Sequence, residues 1–542
     1  MANYKTLGVM LDCSRNSVIL PERVKEYAAT IAKMGYNALM LYTEETYEIE
    51  GQPFFGYLRG RYTKEELRDM DKFCQSVGVE LIPCIQTLAH MPQMFQWRGV
   101  YEDIRDCDDI LLIGDEGTYE LIGEMLKTLS ECFTTKRIHI GMDEAYKVGK
   151  GKFEEKNGFV DRFEIISKHL HRVCDMAKEY GFETMVWSDM FTKLAAGQGG
   201  SEDQYAKIDA SKILEKANLP DNVSLVYWDY YSESYELYDM MIKRNKLFGK
   251  KVYFAGGAWV WETIIPHIEK SIRRTGYAID ACVDNGIDEI FLTAWGDDGN
   301  ECPIHCTYPV LMYTAERLRG NSDMESIKAK FEEIVGVPYD SFTAIEDLEK
   351  VGGAHESDRS PAKYLLYNDV HMGIMDYIVS EEDNDYYAAM AEKLSATNFG
   401  KLGYVFEPYV KLAEVLAVKA SLGVKTRVAY LMDDKDALRD LLGDYDECVK
   451  RIKAFHKSFR NRWLTDNKPQ GFEIQDIRLG GLVMRIESAK ERLIDYIEGR
   501  IAEIPELKEE ILPPPDLCFS RYAIWRNCVS ANIVCHADNC FA

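Results

Sequence analysis

At 542 residues, with 46% hydrophobic and 12% aromatic content, the chain exceeds one ordinary domain and can bury a large core, which excludes wholesale disorder. A formal charge of −25 with no basic run argues against nucleic-acid and anionic-membrane partners and favours neutral or cationic ligands. No apolar run nears the roughly 18 residues that span a bilayer, and no signal-like segment precedes the first strand, so the fourteen Cys read as reduced thiols in a cytoplasm.

From the start to about residue 318, short apolar strands alternate with helical patterns. The first strand is Leu7–Asp12, followed by a helix over Pro21–Met34 with Pro at its first turn. Tyr36–Tyr42 is the second strand, and Thr63 with Glu66 forms a capping box that opens the next helix. Val79–Ile85 is the third, with His90 in the segment after it, and a helix near 117–132 leads to a strand over Arg137–Met142. A helix over about 160–180 precedes four more strands, Glu183–Trp187, Val223–Trp228, Val252–Ala255 and Glu289–Thr293. Helices fall near 233–247, 266–285 and 308–318. Eight such units in strict alternation predict a parallel sheet covered on both faces and closed as an α/β (β/α)8 TIM barrel. An open doubly wound sheet is the alternative, but Asp12-Cys13-Ser14-Arg15 is not the glycine-rich turn such a sheet uses for dinucleotides.

Beyond about residue 320 the pattern becomes helical, notably near 405–424, 435–463 and 472–500. Two domains follow: a catalytic barrel over 1–320 and an α-helical C-terminal domain over 321–542. Pro513-Pro514-Pro515 is expected to end the last long helix, and Tyr522, Trp525 and Ile533 should dock the tail. Cys302, His305 and Cys306, with Cys535, His536 and Cys540, could compose a zinc site, but they lack CxxC spacing and read better as buried thiols.

The chemistry gathers just past the strands. The fourth strand runs into Asp143 and Glu144, with His139, Gly141 and Asp143 on one face. The other strand ends give Arg15, His90, Trp187 with Asp189, Trp228 with Asp229 and Tyr230, Trp259 with Trp261, and Trp295 with Asp297. Five of the eight Trp fall there, mixed with carboxylates. Indole faces stack on sugar C–H faces while carboxylates and Arg bind hydroxyls, so the expected ligand is a sugar. Adjacent carboxylates cannot flank an anomeric carbon as the usual acid–nucleophile pair does. They suit a route in which a 2-acetamido group of the substrate is the nucleophile.

His139-Ile140-Gly141-Met142-Asp143-Glu144 resembles the His-x-Gly-x-Asp-Glu signature of family 20 glycoside hydrolases, the β-N-acetylhexosaminidases. The resemblance covers residues 1 to about 318. It implies that Glu144 is the general acid and then base, and that Asp143 orients the acetamide and stabilises the oxazolinium. It implies too that Arg15 and Asp297 bind sugar hydroxyls, His90 matches the histidine after the third strand, and Trp187, Trp228 and Trp295 enclose the acetamido group and floor the subsite. Trp259 joins the aromatic wall. The helical region, with Tyr364-Leu365-Leu366-Tyr367-Asn368-Asp369, is similar to a bacterial subgroup with an appended helical domain. Two departures stand out. The small domain that many members carry before the barrel is not expected here, because the first strand opens within ten residues of Met1. The seventh-strand loop, Gly256 to Trp261, lacks the family's acetamide-binding tyrosine, leaving Tyr230 as the candidate.

The implied substrate is a small oligosaccharide or glycoconjugate with a terminal β-linked N-acetylhexosamine, and no metal or organic cofactor is implied. Burial among indoles should raise the Glu144 pKa. Aromatic residues of the helical domain could join two copies as a homodimer. Three rival readings are a metal-dependent barrel hydrolase using His139, Asp143 and Glu144 as ligands, a catalytically silent sugar-binding barrel, and a substrate-assisted family acting on protein-linked N-acetylglucosamine. The last normally pairs Asp with Asp, so Glu144 argues against it.

Overall fold

Eight parallel strands close on one another in sequence order: β1 Thr6–Asp12, β2 Ala38–Tyr42, β3 Glu80–Cys84, β4 Arg137–His139, β5 Glu183–Trp187, β6 Val223–Trp228, β7 Val252–Gly257 and β8 Glu289–Ala294. The closing pair runs in register from Thr6 with Glu289 to Leu11 with Ala294. This computed structural model describes residues 4–197, 205, 210–216, 218–352, 360–512, 524–532 and 534.

Side chains alternate across the sheet. Met10, Met40, Tyr42, Ile82, Cys84, Met185, Trp187, Val226, Tyr253 and Phe291 fill the barrel interior, while Leu7, Val9, Leu11, Leu39, Leu41, Leu81 and Ile138 pack outward with the helices. Gly8 is required near the N-terminal ends of the strands, since a Cβ there would stand 2.2 Å from the Phe291 ring. That end is closed by charge. Arg137 donates to Glu80 Oε1 at 3.1 Å and to Thr6 Oγ1 at 3.0 Å, and its Nη1 lies 3.3 Å from Glu289. The opposite end, where the strands point, is left for chemistry.

The predicted helices form at Pro21–Met34, Glu116–Cys132, Arg162–Glu179, Tyr235–Lys246, Ile268–Asp284 and Tyr308–Leu318. Thr63 and Glu66 make both bonds of a capping box ahead of the helix Lys64–Ser76.

The fourth strand is shorter than its hydrophobic run suggests. Gly141 and Met142 both take φ near 72°, and the Gly141 N–H turns to His139 Nδ1 at 3.1 Å instead of a neighbouring strand.

After the barrel the chain is helical, dominated by Gly403–Lys419, Lys435–Asp466 and Phe472–Ile497. The helix expected near 405–424 breaks into Gly403–Lys419 and Leu422–Leu431. At the break, Ser421 N–H donates to Asn384 Oδ1 at 2.9 Å, and the buried Lys419 ammonium reaches the carbonyls of Leu365 and Asn368. Side-chain partners there replace the helical ladder. The last long helix stops at Ile497, well before Pro513-Pro514-Pro515, and those prolines lie outside the described residues, as do Tyr522 and Ile533.

Barrel and helices share backbone bonds: Leu20 N–H to Asp466 O at 2.9 Å and Lys468 N–H to Val18 O at 2.8 Å. No helix among the described residues is long and apolar enough to cross a membrane.

Candidate active site

Asp12, Tyr42, His139, Trp187 and Trp228 end five of the strands, and Gln86, Trp259 and Trp295 follow just past three others, so the strand ends that close the core also deliver the site. Asp12 organises the first loop. Its Oδ1 accepts from the N–H of Ser14 and Arg15, and its Oδ2 accepts from Gly296 N–H at 2.9 Å, tying the mouth of β1 to that of β8. Arg15 is thereby fixed at the rim. Its guanidinium lies 3.2 Å from Asp12, 3.4 Å from Glu44 and 3.7 Å from Asp297, against the rings of both Tyr42 and Trp295. These carboxylates hold Arg15 charged against the cost of its burial.

Asp143 sits at the centre. Its Oδ1 accepts from Gln86 Nε2 at 2.7 Å and its Oδ2 lies 3.2 Å from His90 Nε2. Burial alone would raise its pKa, but the His90 charge and the Gln86 bond outweigh burial and bring it to about 2. Burial would likewise lower His90, but the Asp143 charge takes it to about 10. Asp143 is therefore ionised and His90 cationic at neutral pH.

Gln86 also accepts from Met142 N–H with its Oε1, so it fixes the backbone that presents the acidic pair. A Cβ on Gly141 would lie 2.1 Å from that same oxygen, which is why the motif needs glycine there.

Glu144 is held differently. Its φ is 52°, an uncommon conformation for a non-glycine residue. The backbone is kept there by Asp189, whose Oδ2 accepts from Glu144 N–H at 3.1 Å. Tyr146 donates to Glu144 Oε1 at 3.2 Å, and Lys193 Nζ lies 3.2 Å from the Tyr146 hydroxyl. The Glu144 carboxylate lies 3.8 Å from His90 and is 41% exposed. The expectation that indoles bury it is therefore corrected: Glu144 faces the open mouth, and a covering sugar ring would have to supply the desolvation.

Burial, reinforced by the Asp143 charge, raises Asp189 to about 7. Burial likewise raises Glu44 to about 7. Burial lowers His139 to about 3, so it is a neutral ring packed 4.2 Å from Trp187.

The aromatic wall is continuous. Trp187 neighbours Trp295, which crosses Tyr42 edge-on at 4.8 Å and donates its indole N–H to the Tyr230 hydroxyl at 2.9 Å. Tyr230 stacks on Trp228 at 5.4 Å and meets Trp261 edge-on at 5.2 Å. Trp261 stands between Tyr230 and Trp259, which stacks on it at 4.9 Å with Arg274 against the Trp259 ring. Trp259 is thus one ring removed from Tyr230, and Trp261 takes the nearer position.

Asp143, Glu144, Arg15, His90, Trp187, Trp228, Tyr230, Trp295 and Asp297 converge around one mouth. Asp189, named with Trp187 at the end of the fifth strand, joins them, as do three residues not selected from sequence: Gln86, Glu44 and Tyr146. Gln86 continues the inward register of β3, a signal available from alternation. Glu44 and Tyr146 sit in loops without periodicity.

Among the described residues no three His, Cys, Asp or Glu side chains are grouped to hold a metal ion. Cys302 and Cys306 instead face the Tyr409 hydroxyl at 3.6 and 3.4 Å, and Cys535, His536 and Cys540 lie outside the described residues.

Two family models match: the catalytic domain of glycosyl hydrolase family 20 over residues 4–237, and the glycoside hydrolase 20C C-terminal domain over residues 340–516. The chain belongs to glycoside hydrolase family 20. Hexosaminidase D of Homo sapiens is 23% identical over 331 residues, covering 56% of this chain and 64% of that protein. Hexosaminidase D of Bos taurus is 22% identical over 239 residues, covering 42% and 62%. The chain thus spans just under two thirds of the length of either relative. Among solved structures, the family 20 exo-β-N-acetylglucosaminidase of Vibrio harveyi in complex with N-acetylglucosamine aligns with 15% identity and a TM-score of 0.47, covering 62% of this chain and 59% of that one. The β-N-acetylhexosaminidase of Bacteroides fragilis aligns with 17% identity and a TM-score of 0.46, covering 62% and 71%.

Proposed function

We propose that this protein is an exo-acting β-N-acetylhexosaminidase that removes a terminal non-reducing β-linked N-acetylglucosamine or N-acetylgalactosamine, with retention of configuration, using the substrate's own acetamide as nucleophile. The observation that carries the reading is the unequal pair of neighbouring carboxylates. Asp143 is buried, ionised and locked by His90 and Gln86, whereas Glu144 is exposed at the mouth beside it.

In this scheme protonated Glu144 gives its proton to the glycosidic oxygen as the bond to the anomeric carbon breaks. The acetamide carbonyl oxygen closes on that carbon, and ionised Asp143 accepts a hydrogen bond from the acetamide N–H and balances the oxazolinium charge. Glu144, now a carboxylate, takes a proton from water, which opens the ring from the face the leaving group left. Arg15 and Asp297 bind ring hydroxyls, and Trp187, Trp228 and Trp295 wall the subsite. Tyr230, aligned by Trp295, is our candidate for the donor to the acetamide carbonyl.

The test is hydrolysis of 4-nitrophenyl N-acetyl-β-glucosaminide beside the galactosaminide and the plain β-glucoside. We expect turnover of one or both acetamido sugars and a loss of at least about a hundredfold on the plain glucoside, since removing the internal nucleophile forfeits its effective molarity. Equal rates on the plain glucoside would rule out acetamide participation.

A further inference from the structure

The loop after β8 carries Trp295 and Asp297, and its backbone is unusual. Asp298, Gly299 and Asn300 take φ of 57°, 108° and 52° in succession. Two non-glycine residues in that region persist only where the surroundings over-determine them. On the barrel side Asn300 donates to Ser17 Oγ at 2.5 Å. The side chains that grip this loop from outside the barrel, Lys363, Arg462, Gln475 and Arg478, come from the helical region.

Lys363, wholly buried, places Nζ 2.6 Å from Asp298 Oδ2 and 2.7 Å from Glu301 Oε2, and reaches the Glu262 and Asp298 carbonyls at 3.4 Å. Arg478 donates to Asp298 Oδ1 at 2.9 Å, to the Asp298 carbonyl at 2.8 Å and to Glu301 Oε1 at 3.2 Å. Gln475 donates to Gly299 O at 3.2 Å, and Arg462 to Glu301 O at 2.7 Å. Glu262 N–H in turn donates to Asp297 O at 2.9 Å, so Lys363 grips the loops after β7 and β8 together.

A buried set of two cations and two carboxylates is a poor way to gain stability, because desolvation offsets the attraction. What it does well is fix position. Asp297 lies one residue from this anchor, with a 40% exposed carboxylate 3.7 Å from Arg15.

We propose that Lys363, Gln475 and Arg478 are positioning residues for the sugar site: by clamping the loop at Asp298–Glu301 they set where the Asp297 carboxylate meets substrate hydroxyls. The helical region is then part of the active site without touching substrate. The inference rests on the function proposed above.

The experiment measures kcat and KM of the full chain on 4-nitrophenyl N-acetyl-β-glucosaminide and its 4-deoxy analogue. It compares wild type, Lys363→Met, Gln475→Ala, Asp297→Ala and each positioning variant combined with Asp297→Ala. We expect Lys363→Met to lose about tenfold in kcat/KM, mainly through KM, because a displaced binding group costs affinity before chemistry. We also expect it to narrow the preference for the 4-hydroxylated sugar. In the Asp297→Ala background the same change should cost less than about twofold, since groups acting through one residue are not additive. Gln475→Ala strands no buried charge and should show the same pattern at smaller amplitude, so it carries the test if Lys363→Met does not fold. Undiminished losses in the Asp297→Ala background, or wild-type kinetics in both folded variants, overturn the positioning role while leaving the enzyme assignment intact. Inactivity of the wild type on the acetamido sugar overturns both.

Discussion

Replacing His90 by Asn removes the cation that faces Asp143 while keeping a residue that tolerates the His90 φ of 58°. The separation between His90 Nε2 and Asp143 Oδ2 is 3.2 Å. Coulomb's law at an effective dielectric near 20 gives about 5 kcal/mol at that distance, an upper bound of about 4 pKa units. A single opposite charge is normally worth about 1–3 units, and the Gln86 bond persists, so we expect Asp143 to rise by about 2 units. The sign follows from the chemistry: losing a positive neighbour disfavours the carboxylate, and the mechanism needs the carboxylate. Asp143 sits near about 2 in the intact protein, so its protonation does not limit activity in the ordinary range. In His90→Asn an acid limb should appear near pH 4, about 2 units above the native value. The assay is kcat/KM on the acetamido substrate from pH 3 to 8 for both proteins. Superimposable acid limbs, or a pH-independent loss in the variant, would refute the account of Asp143 as a carboxylate kept ionised by His90.

The same pair links to stability. Asp143 is depressed, so its contribution is present above its unfolded pKa near about 4 and lost as pH falls toward 2, while His90 is raised, so its contribution is full below about 6.5 and lost as pH rises toward 10. The gap in urea midpoint between wild type and His90→Asn should therefore be widest between about pH 4 and 6.5. Glu144→Gln and Asp143→Asn should each lose at least about a hundredfold in kcat with unchanged circular dichroism, the scale of a lost general acid or charge partner; near-native turnover by either variant removes that residue from the mechanism. Asp189→Ala frees the Glu144 N–H and should lower kcat by about tenfold with little change in KM, because Asp189 holds the acid's backbone and need not touch the sugar. Trp463, fully buried against Phe459 and Phe472, should cost about 3–5 kcal/mol when cut to Ala, read as a lowered urea midpoint.

Much of this was legible along the chain. The strands at Glu183–Trp187 and Val223–Trp228 and the helix Pro21–Met34 lie where local pattern places them, because a buried parallel strand must be apolar and a capped helix must be amphipathic. Local pattern overextends the fourth strand and runs the helix near 405–424 through a break, because the interruptions come from distant partners. No window around Ser421 reveals that Asn384 will take its N–H.

The sequence by itself determined the barrel, the strand ends on which chemistry could sit, and the Asp143–Glu144 step, since alternation and spacing are local properties that survive in one dimension. Tertiary structure alone decided which of two adjacent carboxylates is locked and which is open. His90 and Gln86 come from the loop of another strand, and the low-dielectric surroundings that make their charge and hydrogen bond count exist only once the barrel closes.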